Sequence, residues 1–201
     1  MIKNALKIAV ASVAIALLLT FAGTVWADEI TDSINEALNQ YNNNDYAAAS
    51  ESLSYALQLL GQKKGMQLQD LLPQPLPGWT ADEASSETVS AVVMGGGINA
   101  ERQYHRDDSS VTISYTTDSP MLQGVMMMLS NPMFAAANGG KLEKIKGRKA
   151  IVKYDPGDKS GSIMIVVETR TLILIEGNSV ALDDLKSYAS VIDYQKISDL
   201  P

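Results

Sequence analysis

The sequence predicts an α+β fold in which helices cover both faces of an antiparallel sheet, with an α-helical hairpin before that sheet. Residues 28–72 contain little Gly and repeat apolar side chains at spacings of three and four. After a Pro-rich segment, strand-like runs follow one another in pairs separated by short polar stretches, which favours antiparallel pairing. The last pair is apolar at consecutive positions, and strands of that kind need cover on both faces.

The N-terminal segment, residues 1–27, has the layout of a secretory signal peptide. Lys3 and Lys7 form a charged start, an apolar run follows at 8–21, and Val-Trp-Ala precedes Asp28. A retained membrane anchor is the alternative, but a run of 14 residues is shorter than the ~20 that a span needs. We therefore expect cleavage after Ala27, a periplasmic mature chain, and no stable membrane insertion of that chain.

Composition narrows the classes of partner. The 201 residues include 16 Lys and Arg against 23 Asp and Glu, for a net charge of −7, and loss of the leader removes two of the cations. Nucleic acids and anionic lipid headgroups are bound through Lys and Arg, so we expect neither as a partner. The absence of Cys excludes disulfides, thiolate metal sites and a Cys nucleophile. No cofactor is indicated.

Residues 28–72 predict two helices in an antiparallel hairpin. Three Asn residues at 42–44 separate the helices, Asp45 is suited to cap the second, and Pro73 ends it. We expect one apolar stripe on each helix. The stripes comprise Ile30, Ile34, Ala37, Leu38 and Tyr41 on the first helix, and Tyr46, Ala49, Leu53, Ala56, Leu57 and Leu60 on the second.

The segment at 73–79 contains three Pro residues, which favours an extended connector and no helix. It marks the boundary between a helical hairpin at 28–72 and a sandwich domain at 73–201. Leu76 and Trp79 are the large apolar side chains of this connector. We expect both to dock it onto the sheet.

Three β-hairpins and two helices are expected in the sandwich domain. The hairpins pair 100–106 with 111–115 through a loop at 107–110, 142–146 with 149–154 through Gly147-Arg148, and 162–168 with 171–176. Ser119-Pro120 suits the start of a helix that ends near Leu129 or Ser130. A second stripe, formed by Leu182, Leu185, Ala189 and Ile192, predicts a C-terminal helix.

The order of these elements resembles the PsbP-like fold over residues 73–201. The resemblance rests on the Pro-rich entry into Gly78-Trp79, a helix after the strand that ends at 115–117, and the strand at 172–177 that leads into the last helix. That fold is an α/β/α sandwich shared by a photosystem II extrinsic protein and exported bacterial proteins. It implies a non-catalytic binding or assembly module. Residues 41–57 are similar to the middle of one tetratricopeptide repeat, with packing and peptide binding both open as roles.

The most unusual local feature is a Met-rich stretch at 120–134, which holds five of the nine Met residues. One helical face, with Leu122, Val125, Met126 and Leu129, accounts for core contact. The remaining large side chains, which we take as candidate partner-binding residues, are Met121, Met127, Met128, Met133 and Phe134.

Three interpretations of these methionines compete. They could fill an irregular gap in the core, or form an adaptable contact surface for a protein, peptide or hydrophobic ligand. They could also bind Cu(I) through soft thioethers, although adjacent Met residues on a helix point about 100° apart. We expect an exported, non-catalytic binding or assembly protein, with Cu(I) handling as the alternative.

Catalytic signatures are scarce. His105 is the only His and lies on the polar side of a predicted strand, which favours an exposed surface residue. No nucleophile elbow, zinc-binding His pair or phosphate loop is present. Asp155 and Asp158 fit a solvated turn, and Asp183-Asp184 fits the start of a helix. A hydrolase that uses Asp or Glu is the second alternative, and we expect no enzyme.

Overall fold

The fold is taken from a computed structural model, which describes residues 25–89 and 97–200. Packing divides the chain into two units, residues 1–60 and residues 61–201, and each is described by itself. The expected leader lies outside the described residues up to position 24, and positions 25–27 begin the first helix. Within the described ranges, no helix combines the length and apolarity needed to cross a membrane.

Two helices make up the described part of the first unit. Helix α1 spans Val25–Asn42, and α2 spans Tyr46–Gln69 and continues into the second unit. Between them Asn44 adopts a left-handed φ of 61°, and the Asp45 carboxylate accepts from the N–H of Ala48 at 3.2 Å, as expected for the cap. Tyr55 donates to Glu29 at 2.6 Å, which joins the two helices.

Only some members of the apolar stripes on these helices are buried. Within the described part of this unit the buried residues are Ile30, Ser33, Ala37, Ala49, Ala56 and Leu59, and four of these six have small side chains. Seven members of the expected stripes are 45–67% exposed, namely Ile34, Leu38, Tyr41, Tyr46, Leu53, Leu57 and Leu60. On each helix the buried members of the stripe therefore include Ala residues, and most of the larger apolar members are exposed.

The second unit is built on one antiparallel sheet, and an α+β fold is therefore confirmed. The strands are β1 Thr80–Ala81, β2 Ser85–Val89, β3 Gly97–Arg106, β4 Ser109–Thr117, β5 Lys141–Ile145, β6 Arg148–Asp155, β7 Ser160–Val167 and β8 Thr171–Asn178. Their order is β1-β3-β4-β8-β7-β6-β5, with β2 also paired to β3. Each described pairing is antiparallel.

The three expected hairpins form, but two of their turns are shorter or shifted. Arg106 pairs with Ser109, so the first turn contains two residues, not four. Ile145 pairs with Arg148, which places the second turn at Lys146-Gly147, one residue before the predicted position. Both turn residues have positive φ, 46° and 80°, the backbone that two-residue hairpin turns require.

Helices cover both faces of the sheet. Helices α3 Met121–Ser130 and α4 Pro132–Ala137 lie on one face, and α5 Leu182–Val191 and α6 Tyr194–Ser198 contribute to the core on the other. The buried residues of this unit form a larger and a smaller hydrophobic cluster. Strands β7 and β8 supply Ile163, Ile165, Ile173 and Ile175 to the larger cluster and Leu172 to the smaller one. The predicted two-sided cover is therefore present.

Close contact between α5 and β8 depends on a glycine. A Cβ at Gly177 would collide with the side chains of Val180 and Leu185, so no larger residue fits there without displacing the helix. Leu185 is fully buried. Gly177 thus sets the distance at which the C-terminal helix packs on the sheet.

Two tyrosines and a tryptophan attach the Pro-rich connector to the larger hydrophobic cluster. Trp79 is buried and Leu76 packs against the same cluster, as predicted from the sequence. The Tyr104 hydroxyl donates to the carbonyl of Pro73 at 2.7 Å, and Tyr188 contacts Trp79 edge-on with ring centroids 5.3 Å apart. The extended segment is therefore held by both side-chain packing and backbone hydrogen bonding.

Candidate functional site

The Met-rich stretch forms two consecutive helices, α3 and α4, joined at Asn131. Pro120 precedes the first turn of α3 with helical dihedral angles, which agrees with the predicted start. The Asn131 side chain accepts from the N–H of Met133 at 3.0 Å, and Pro132 occupies the first turn of α4. Asn131 thus ends one helix and caps the next.

Small and branched side chains attach these helices to the sheet. Leu122, Val125 and Leu129 are the buried residues of α3, and Ala135 is the buried residue of α4. They pack in one cluster that also contains Ile151 and Leu172 from the sheet. The core contact predicted for Leu122, Val125 and Leu129 is therefore present, and Met126 is half-buried.

Most of the remaining large side chains point into solvent. Met121 is 68% exposed, Met127 62%, Met133 76% and Phe134 48%. We call these four residues the Met surface. Met128, the fifth candidate residue, is half-buried and packs against the smaller cluster, so it borders the Met surface.

The polypeptide that carries the Met surface has no charged side chain. Between Asp118 and Lys141 the sequence contains no Asp, Glu, Lys or Arg, although the whole chain is strongly acidic. Exposed apolar side chains on an uncharged segment are costly in water and are favoured where a partner covers them. The segment is therefore suited to contact apolar groups.

The spacing of the thioethers limits what α3 can offer a metal. Met121 and Met128 are seven residues apart, which separates them by about 10 Å along a helix. Met127 and Met128 are neighbours in sequence and diverge by about 100°. This spacing does not favour the convergence of three thioethers on one Cu(I) ion within α3 alone. Among the described residues, no three His, Asp or Glu side chains form a potential metal site.

The single histidine is paired on the surface. Its Nε2 lies 3.1 Å from a carboxylate oxygen of Asp82, and the side chains of His105 and Asp82 are 39% and 61% exposed. Asp155 accepts from the N–H of Gly157 at 2.7 Å and so forms the expected turn. Asp184 binds Arg106, which gives this acidic residue a structural partner that the sequence did not indicate.

A second surface feature lies beside the last helix. A depression of about 500 Å³ is lined by Lys146, Arg148, Asp193 and Tyr194, among others. The Arg148 guanidinium lies 5.3 Å from the centre of the Tyr194 ring, and burial raises the pKa of the Tyr194 hydroxyl to about 12. Lys146 and Arg148 thus lie close to the ring of Tyr194, which belongs to the larger hydrophobic cluster.

Two features of the site lie beyond the sequence prediction. Helix α4 lies beyond the predicted helix, which ends near Leu129 or Ser130, although Asn131-Pro132 carries the signal of a capping residue followed by Pro in the first turn. The exposure of Phe134 results from that helix, which buries Ala135 and turns its neighbours outward. The apolar character of the sequence did not reveal which side chain is exposed, because Ala135 and Phe134 are both apolar.

We compared the sequence with family models and with curated proteins, and the fold with solved structures, and found no match. The functional interpretation therefore depends on the geometry of this chain.

Proposed function

We propose that this protein is an exported, non-catalytic binding or assembly protein whose contact surface is the Met surface. The observation that carries the proposal is that α3 and α4 bury one set of apolar side chains and expose another. Leu122, Val125, Leu129 and Ala135 pack on the sheet, while Met121, Met127, Met133 and Phe134 remain exposed.

The chemistry of the surface supports an apolar partner. Met is flexible and polarizable, so a Met-rich patch adapts to partners of different shape. The absence of charges between Asp118 and Lys141 removes the usual means of binding nucleic acids or anionic headgroups. A protein, a peptide or a hydrophobic ligand is the class of partner that this surface fits.

Site-specific photo-crosslinking in the native host tests the proposal. A photoreactive residue at Met127 or Met133 should crosslink to the same partner, whereas one at Glu168, an exposed turn residue of the same unit, should not. The double variant Met127→Gln/Met133→Gln should keep the unfolding temperature of the wild type, because neither side chain is buried, and should lose the complex.

The control variant is Gln123→Ala, which changes an exposed α3 residue outside the Met surface. It should retain the complex. Equal crosslinking at Glu168, or a complex that survives the double Gln substitution, would contradict the proposal. A large loss of stability in the double variant would assign these methionines to the core instead.

We also propose that residues 73–201 have the PsbP-like topology and that residues 28–72 form a helical hairpin. The antiparallel sheet with helices on both faces supports the first, and the hydrogen bonds of Tyr55 with Glu29 and of Ser52 with Gln40 support the second. An experimental structure compared strand by strand with a PsbP-like protein would test the topology.

A further inference from the structure

The first unit exposes a second apolar surface, formed by α1 and the part of α2 up to Leu60. We call it the helix-pair face. Its members are Ile34, Leu38, Tyr41, Tyr46, Leu53, Leu57 and Leu60, with exposures between 45% and 67%.

These side chains lie on one side of the helix pair. At about 100° per residue, Ile34, Leu38 and Tyr41 share one edge of α1, and the four members on α2 share one edge of that helix. The rings of Tyr41 and Tyr46 meet with centroids 5.7 Å apart, which joins the two edges into one surface. Smaller stripe residues such as Ala37, Ala49 and Ala56 are buried instead.

Charge is segregated away from this face. Every charged residue from Asp28 to Leu60 is acidic, and no Lys or Arg occurs there. Asp32, Glu36 and Glu51 are two positions from face residues and so point about 160° away from them. Asp45 caps α2. The polar residues that border the face, Asn35, Asn42, Ser50 and Ser54, are uncharged.

This arrangement favours one kind of occupant. A basic partner or an anionic membrane would meet an uncharged surface, with the carboxylates on the far side. A second copy of the chain presents the same uncharged apolar surface and keeps its own carboxylates turned outward, so like charges do not meet at the contact. Isologous contacts of this kind are the commonest basis of homodimers.

The area is sufficient for a stable dimer. Side chains that are each about half exposed leave on the order of 700 Å² open, close to the ~800 Å² that each partner contributes to a standard interface. It also exceeds the ~300–600 Å² of the largest apolar patch on a typical monomer. We propose that the helix-pair face is the interface between two copies of this chain, which would associate as a four-helix arrangement.

Sedimentation equilibrium on the purified mature protein tests this directly. The wild type should have twice the monomer mass at tens of micromolar, an ordinary range for an interface of this size. Leu38→Glu/Leu57→Glu should weaken the dimer at least ~100-fold, because it buries carboxylates in an apolar contact. Leu38→Ala/Leu57→Ala should weaken it by at least ~10-fold without new charge.

The matched control adds the same charges elsewhere. Asn39→Glu/Gln58→Glu changes exposed residues outside the face and should leave the dimer intact. Circular dichroism on each variant should show unchanged helix content. A monomeric wild type at these concentrations, or a Leu38→Glu/Leu57→Glu variant that dimerises like the wild type, would overturn the proposal.

Two further measurements separate this face from other dimer contacts. Because the chain has no Cys, a spin label can be attached at Ser54→Cys on the border of the face or at Asn39→Cys on the far side. Strong dipolar coupling between copies is expected only for Ser54→Cys, and the reverse pattern would refute the proposed interface. Met127→Gln/Met133→Gln should leave the dimer intact, which distinguishes this proposal from the Met surface.

Discussion

Arg106 at the end of β3 forms a two-pronged ion pair with Asp184 in the first turn of α5. The two guanidinium N–H groups donate to the carboxylate at 3.1 and 2.7 Å, and the guanidinium carbon lies 4.4 Å from the centre of the Trp79 ring. The hydrogen bonds that Arg106 donates to the Asp184 carboxylate raise the pKa of Arg106. One residue thus links the sheet, the connector and the C-terminal helix.

Replacing this arginine by lysine should destabilise the protein. Arg106→Lys loses the two-pronged geometry and the stacking on Trp79, and the pair is partly exposed, so we expect a loss of about 1 kcal/mol in the free energy of unfolding. Urea denaturation measures it, with Arg170→Lys as the exposed control. Equal stabilities for Arg106→Lys and the wild type would show that the pair contributes nothing.

The Tyr104 hydroxyl should matter for the connector specifically. Tyr104→Phe leaves the buried carbonyl of Pro73 without this donor, and we expect a loss of about 1–2 kcal/mol. Hydrogen exchange of the backbone near Trp79 should become faster, whereas Gln123→Ala, at an exposed residue of α3, should change neither quantity. An unaltered exchange rate in Tyr104→Phe would contradict the anchoring role.

Stability should fall in alkali because of buried tyrosines. Burial raises the pKa of the Tyr104, Tyr115, Tyr188 and Tyr194 hydroxyls, with values of about 12 for Tyr188 and Tyr194. The unfolded chain loses these protons near pH 10 and the folded chain keeps them. The stabilisation is therefore complete below pH 10 and is lost as pH rises toward 12.

Each of these tyrosines should lower the free energy of unfolding by about 1.4 kcal/mol per pH unit across that range. Denaturation at several pH values, with tyrosinate absorbance followed in parallel, tests this. Tyr194→Phe should make the dependence shallower. A free energy of unfolding that stays constant from pH 10 to 12 would be incompatible with buried, protonated hydroxyls.

The proposed export of the protein gives a separate prediction. The mass of the protein recovered from the exported fraction should correspond to a chain that starts at Asp28, because Val25-Trp26-Ala27 suits a signal peptidase. Cleavage there shortens α1 by three residues at its first turn. Recovery of the protein with Lys3 and Lys7 still attached would support the anchor alternative.

Alternating side chains and turn residues were enough to predict the first two hairpins, and consecutive apolar positions in the third hairpin predicted the cover on both faces of the sheet. The observed turns differ from the predicted ones because Asp107 and Lys146 adopt positive φ. The twist of the flanking strands favours this backbone conformation, and the amino-acid composition of the turns does not reveal it. Which members of the α1 and α2 stripes are buried could not be predicted, for another reason. Periodicity shows which apolar residues share an edge of a helix, but it does not show which part of that edge another element covers. Here Ala residues are buried and Leu57 is exposed.

The residues of the Met surface were selected from the sequence by their type and spacing, and the structure was needed to show that they are exposed. Met128 illustrates the limit, since it differs from Met127 by one position and is half-buried. A helix packed on a sheet covers a stripe whose width depends on neighbouring side chains, here Leu142 and Met164. Sequence spacing places residues on a stripe but does not set its width.

Methionine oxidation in the intact host, compared with the purified protein, tests the central claim most directly. In the purified protein the exposed thioethers of Met121, Met127 and Met133 should oxidise quickly, and half-buried Met164 slowly. Met66 on α2, 42% exposed, serves as an internal reference. In the host, Met127 and Met133 should be protected relative to Met66, because a partner covers them. Identical oxidation patterns in both settings would contradict a contact role for the Met surface.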